Sequence, residues 1–126
     1  MNEPHEVIVD GEIRLPDDAG AFRDASVRVT LADVTRADAP SRAVAEETIR
    51  NVSHGGGPGG VVPFRLRLES PDARTRYAVR AHVDVDGDGR VSRGDYISME
   101  SYPVLTFDSP SRVTIRVRPV ESRGVP

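Results

Sequence analysis

At 126 residues the chain has the length of one domain, 1–126, and a domain of this size buries roughly two thirds of its unfolded surface. It has no cysteine, which excludes disulfides, thiolate metal sites and a cysteine nucleophile. The net charge is -3 and all 17 basic residues are arginine, a balance that argues against nucleic acid as partner.

Taken in chain order, apolar residues alternate with polar ones. Val7, Val9 and Ile13 share one face of a first strand. Val27, Val29 and Leu31 alternate with Ser26, Arg28 and Thr30. Val62, Phe64, Leu66 and Leu68 alternate with Pro63, Arg65, Arg67 and Glu69. Val79, Ala81 and Val83 alternate with Ala78, Arg80 and His82, and Val113, Ile115 and Val117 with Thr114, Arg116 and Arg118. A period of two means strands with one buried and one wet face. Breaks fall at LPDDAG, TRADAPS, SHGGGPGG, ESPDART, an acidic loop and FDSPS. This pattern predicts an all-β, antiparallel sandwich, Ig-like, of about seven strands. The core is expected over about 6–119, with a flexible glycine-rich loop at 53–60 and a tail at 120–126. One segment resists: SRAVAEETIRNV has helical composition, yet Ala43, Ala45 and Ile49 also fit alternation.

The acidic loop, DVDGDGRVSRGDY, follows a strand-like stretch. Counted from Asp84, Asp86 stands at position three, Asp88 at five, Gly89 at six, Arg90 at seven, Ser92 at nine and Asp95 at twelve, the register of an EF-hand-like or dockerin-like calcium loop. A hard divalent cation takes six to eight oxygens at about 2.3–2.6 Å, so alternate carboxylates must converge as the backbone curls around it. Gly89 allows the sharp turn. Arg90 would offer its backbone carbonyl, Ser92 would bind directly or through water, and Asp95 would close the site. The twelfth residue is one methylene shorter than the usual Glu, which weakens Ca²⁺ and narrows its advantage over Mg²⁺. Strand-like flanks place this loop between two late strands rather than between helices. The plainer alternative is an acidic Asp-Gly turn without an ion.

Other chemistry is thin. His5, His54 and His82 read as solvated surface histidines, His82 on the wet face of its strand. The serines form no G-x-S-x-G elbow, adjacent Glu46 and Glu47 would face opposite sides of a strand, and Arg65, Arg67, Arg80, Arg112, Arg116 and Arg118 read as a solvated sheet face. No catalytic residues and no organic cofactor are expected, and the chain is read as a non-enzyme.

GEIRLPDDAGAFRDASVRVTLADVTRADAPSRAVAEETI, VPFRLRLE, RYAVRAHV and YPVLT together resemble the YbaY/YscW-type domain, described as a type III secretion lipoprotein chaperone and pilotin-like. The resemblance spans about Val9 to Val117 and implies a small β-sandwich in which RAVAEETI is a strand. It also implies a protein partner in assembly and an extracytoplasmic location. The N-terminal MNEPHEVIVDG has no charged-then-apolar leader, no apolar run reaches a membrane span and no cysteine carries a lipid, so the residues themselves predict a cytoplasmic chain without anchor. Two functions are expected to compete. One is a non-enzymatic Ca²⁺-binding module for protein–protein interaction or assembly, its ion mainly structural. The other is a calcium-responsive regulator whose loop orders on binding.

Overall fold

The computed structural model describes residues 6–36, 38–105 and 111–120. Eight strands account for its regular structure: β1 (Glu6–Arg14), β2 (Phe22–Asp33), β3 (Arg42–His54), β4 (Val61–Glu69), β5 (Tyr77–Asp84), β6 (Tyr96–Ser98), β7 (Tyr102–Val104) and β8 (Arg112–Pro119). They follow the order β3-β2-β5-β6-β8-β1-β4, with β7 pairing β5 beside β6. The proximity of β3 and β4 almost closes the sheet into a barrel, and the Arg65 N–H donates across that seam to Glu47 Oε1 at 2.8 Å. Strand β8 holds the two halves together. Its Arg112–Arg116 stretch pairs β1, and its Val117–Pro119 stretch pairs β6.

The all-β reading holds, with two refinements. The eight strands include two three-residue strands, β6 and β7, too short to show a period of two. The β1–β8 ladder is parallel, with Gly11 opposite Val113, whereas every other ladder is antiparallel. Gly11 is what allows it: a Cβ there would stand 1.8 Å from the Val113 carbonyl oxygen.

The alternating positions build the core. Val9, Ile13, Val27, Val29, Leu31, Val83 and Ile115 are fully buried, and Val62, Phe64, Leu66 and Leu68 fill the β4 side. Burial of each such side chain contributes about 1.5–3 kcal/mol, so this alternation dominates the stability of the fold. RAVAEETIRNVSH forms β3 along its whole length. Its Ala45, Ile49 and Val52 pack against the core, Glu47 and His54 are half-buried and the other residues face water, and pairing with β2 overrides the helical propensity of Ala and Glu. The glycine run is tied down in its middle, by Gly57 N–H to the Ala19 carbonyl at 2.9 Å, and at its end, by Leu15 N–H to the Gly60 carbonyl at 3.0 Å. His5 and the tail beyond Val120 lie outside the described residues, as do 106–110, which include all of the FDSPS break but Ser111.

Candidate metal site

Strand β5 delivers the acidic loop to one end of the barrel. Its burial differs from the other strands: only Arg80 is exposed between Tyr77 and Asp84. β2 covers one edge, β6 and β7 the other. Hence His82, expected on a wet face, is buried at 9% exposure. Its Nε2 lies 2.8 Å from Asp95 Oδ2, so the loop that follows the strand folds back over the ring. His54 is also not a free surface group. It is half-buried, its Nε2 is 3.0 Å from the Gly57 carbonyl, and its ring tilts against Phe22 at a centroid distance of 5.8 Å.

Within the loop the ends are buried and the middle is wet. Asp84 and Asp95 are 4% and 1% exposed, whereas Asp86, Asp88 and Arg90 face solvent and Ser92 is half-buried. Ligand oxygens of Asp84, Asp86, Asp88 and Asp95 all come within 4.8 Å of one another. This is the span across a coordination sphere of radius about 2.4 Å, the calcium–oxygen distance. The register read from the sequence therefore brings all four carboxylates together. Ser92 borders them, its Oγ 3.5 Å from both Asp86 Oδ2 and Asp95 Oδ2. Arg90 sits in the loop with its N–H donating to Asp88 Oδ1 at 2.9 Å.

The backbone explains how like charges are held so close. The Gly89 N–H donates to Asp84 Oδ2 at 2.7 Å, and Val85 N–H to Asp95 Oδ1 at 2.9 Å. Ser92 N–H donates to Asp95 Oδ2 at 3.1 Å. Gly89 reaches its place with φ +79°, in the left-handed region that a side chain disfavours. The Asp95 carbonyl accepts from Val120 N–H at 2.8 Å, which fastens the loop to the end of β8.

These bonds leave one atom over. Asp84 Oδ1 is buried and accepts no hydrogen bond from any described residue. A buried polar atom without a partner costs about 1–3 kcal/mol, more when charged. Neither Arg90 nor Arg93 forms an ion pair with the loop carboxylates among the described residues. The donor set fits a hard cation: one oxygen of Asp84 is committed to the loop backbone and the other is left for a ligand.

Fold and site together can be set beside known proteins. A family model described as "Type III secretion system lipoprotein chaperone (YscW)" matches residues 4–117. The chain belongs to this family. No curated protein matches the chain. Among solved structures, that of an alternative pilotin from the type II secretion system of Vibrio cholerae is similar at a TM-score of 0.75 and 26% identity, covering 94% of this chain and 100% of that one. The YscW family match covers every strand but the last residues of β8, and the acidic loop lies inside it.

Sequence reasoning missed His82. The signal was available in principle, since a single residue, Val83, separates it from Asp84. What hid it was the assumption that alternation implies a wet face, which fails on a central strand capped by its own loop.

Proposed function

We propose that this protein is a non-catalytic, pilotin-like chaperone module that binds a protein partner in secretion-system assembly, and that its β5–β6 loop holds one Ca²⁺ as a structural staple. The assembly role follows from membership of a lipoprotein-chaperone family and from the likeness to a pilotin over almost the whole chain. A chaperone of this kind acts by surface contact and needs no reacting group. The calcium part rests on a single observation, the partnerless Asp84 Oδ1 inside a ring of four carboxylates.

The ligands are Asp84, Asp86, Asp88 and Asp95 through their side chains, Arg90 through its carbonyl, and Ser92 directly or through water. Mg²⁺ is the competing ion. It demands shorter bonds and near-octahedral geometry, and a loop with two buried ends contracts reluctantly. Binding in the range of about 10⁻⁵ to 10⁻³ M suits a single site that ends in Asp. The ion would fix β5, β6 and the end of β8 to one another, because Asp84 ends β5 and Asp95 precedes β6 and contacts Val120.

Titration calorimetry on the chelated protein tests the ionic part: one Ca²⁺ should bind, and Asp88→Ala should abolish the heat while leaving a folded domain. Absence of heat at millimolar Ca²⁺ would reduce the loop to an acidic turn. Heteronuclear NMR then separates a staple from a switch. Shifts confined to 82–98 and the end of β8 support the staple, and shifts spreading over a sheet face support a regulator. Capture of partners from the native host, followed by reconstitution with the purified candidate, tests the assembly role.

A further inference from the structure

We propose that the inner end of the loop, His82–Asp84–Asp95, is a second mode of metal binding that takes a borderline divalent transition ion, with Zn²⁺ the reference case. It shares two carboxylates with the calcium reading but does not depend on Ca²⁺ binding. Three facts carry it. His82, Asp84 and Asp95 are all buried, and one ligand atom from each lies within 4.8 Å of the others. Asp84 Oδ1 is buried and partnerless. His82 Nε2 faces this cluster at 2.8 Å from Asp95 Oδ2.

The chemistry distinguishes the two modes. Calcium takes oxygen, and the exposed arms Asp86 and Asp88 supply it. Imidazole nitrogen with carboxylates instead suits Zn²⁺ and its first-row neighbours. A Zn²⁺ ion takes nitrogen and carboxylate oxygen at about 2.0–2.2 Å, which in tetrahedral geometry sets two neighbouring ligand atoms about 3.3–3.6 Å apart. Nε2 and Asp95 Oδ2 must therefore part by about 0.5–0.8 Å, a small rotation of either side chain. The ring proton would sit on Nδ1, leaving the Nε2 lone pair for the metal. Asp84 Oδ1 would provide the third ligand, and solvent the fourth. Because both modes use Asp84 and Asp95, the two ions exclude each other.

The test uses the full chain, freed of metal and titrated with Zn²⁺ in the calorimeter, with and without Ca²⁺. One Zn²⁺ should bind, and Zn²⁺ should raise the apparent Kd for Ca²⁺ wherever Ca²⁺ itself binds. His82→Gln should weaken Zn²⁺ at least tenfold while changing Ca²⁺ affinity less than threefold; Asp84→Asn should lose both; His54→Gln should lose neither. Long-range nitrogen–proton NMR of the unmodified protein gives a readout that no folding defect can mimic: Zn²⁺ should move His82 Nε2. Zn²⁺ binding with unchanged His82 resonances, equal Zn²⁺ affinity in His82→Gln, or no Zn²⁺ binding at all would each overturn the proposal. Zn²⁺ binding at His82 with no Ca²⁺ binding would sustain it and overturn the calcium staple instead.

Discussion

Asp84 is where the charge of the loop is least compensated, and substitutions there separate cost from use. Asp84→Asn keeps an acceptor for the Gly89 N–H and replaces the partnerless oxygen by an amide that can donate to a neighbouring carboxylate. In chelator the variant should be more stable than the parent, by about 1 kcal/mol, because a buried unpaired acceptor disappears. With Ca²⁺ present the order should reverse. Urea unfolding in both conditions measures it. Asp95→Glu points the other way. Lengthening the arm would allow two-oxygen binding in an open site, but Asp95 is 1% exposed and both of its oxygens are engaged by Val85, Ser92 and His82. The extra methylene should cost about 1–3 kcal/mol by overpacking and bring no gain in Ca²⁺ affinity. Away from the loop, Asp33 offers a pH-dependent test. The Thr35 hydroxyl, and then the Thr35 N–H, hold its carboxyl below the usual range. A lowered folded-state pKa contributes stability above the ordinary carboxylate range and loses it as pH falls through the lowered value. Thr35→Ala should move the Asp33 titration back up, read by carboxyl NMR, and blunt that acid limb.

At the scale of elements, the parallel β1–β8 ladder depends on one residue. Gly11→Ala would drive a Cβ into the Val113 backbone carbonyl, with no flexible side chain to yield. The expected cost is about 3 kcal/mol, at the top of the overpacking range, with loss of amide protection concentrated in β1 and β8 by hydrogen exchange. A full-stability Gly11→Ala protein would contradict the pairing. This ladder was not legible in the sequence, because alternation identifies strands but carries no information on direction or partner. The long strands were legible: Val27, Val29 and Leu31, or Phe64, Leu66 and Leu68, each read as one buried face and proved so. β3 was legible only through the family resemblance, since its wet face is rich in Glu and Arg and none of its residues is fully buried. β6 and β7 span three residues each, too few for any period to register. In the loop, spacing alone brought Asp84, Asp86, Asp88 and Asp95 together, because a twelve-position loop that turns at a glycine is a local property. His82 was misplaced because its burial is set by the return of Asp95, a contact thirteen residues away.

The whole molecule is a nearly closed sheet in which the acidic loop joins β5 to β6 and rests on the end of β8. The chain belongs to a lipoprotein-chaperone family, and in the proposed reading a Ca²⁺ ion in the loop would hold one end of the barrel fixed. A ligand that binds only the folded state stabilises it by RT ln(1 + [L]/Kd), so Ca²⁺ at 100 times Kd adds about 2.7 kcal/mol. For a domain of this size that corresponds to a melting shift of roughly 5–10 °C. Core strands assembled elsewhere predict that the ion-free protein stays folded, with a β-type circular dichroism spectrum before and after chelation.

The measurement that bears most directly on this account is the thermal melt of chelated protein with Ca²⁺ added back, run beside Asp88→Ala. The account predicts a rise of roughly 5–10 °C for the parent at saturating Ca²⁺, none for the variant, and cooperative melting of both without the ion. An unchanged melting temperature at millimolar Ca²⁺, or an equal rise in Asp88→Ala, would contradict it.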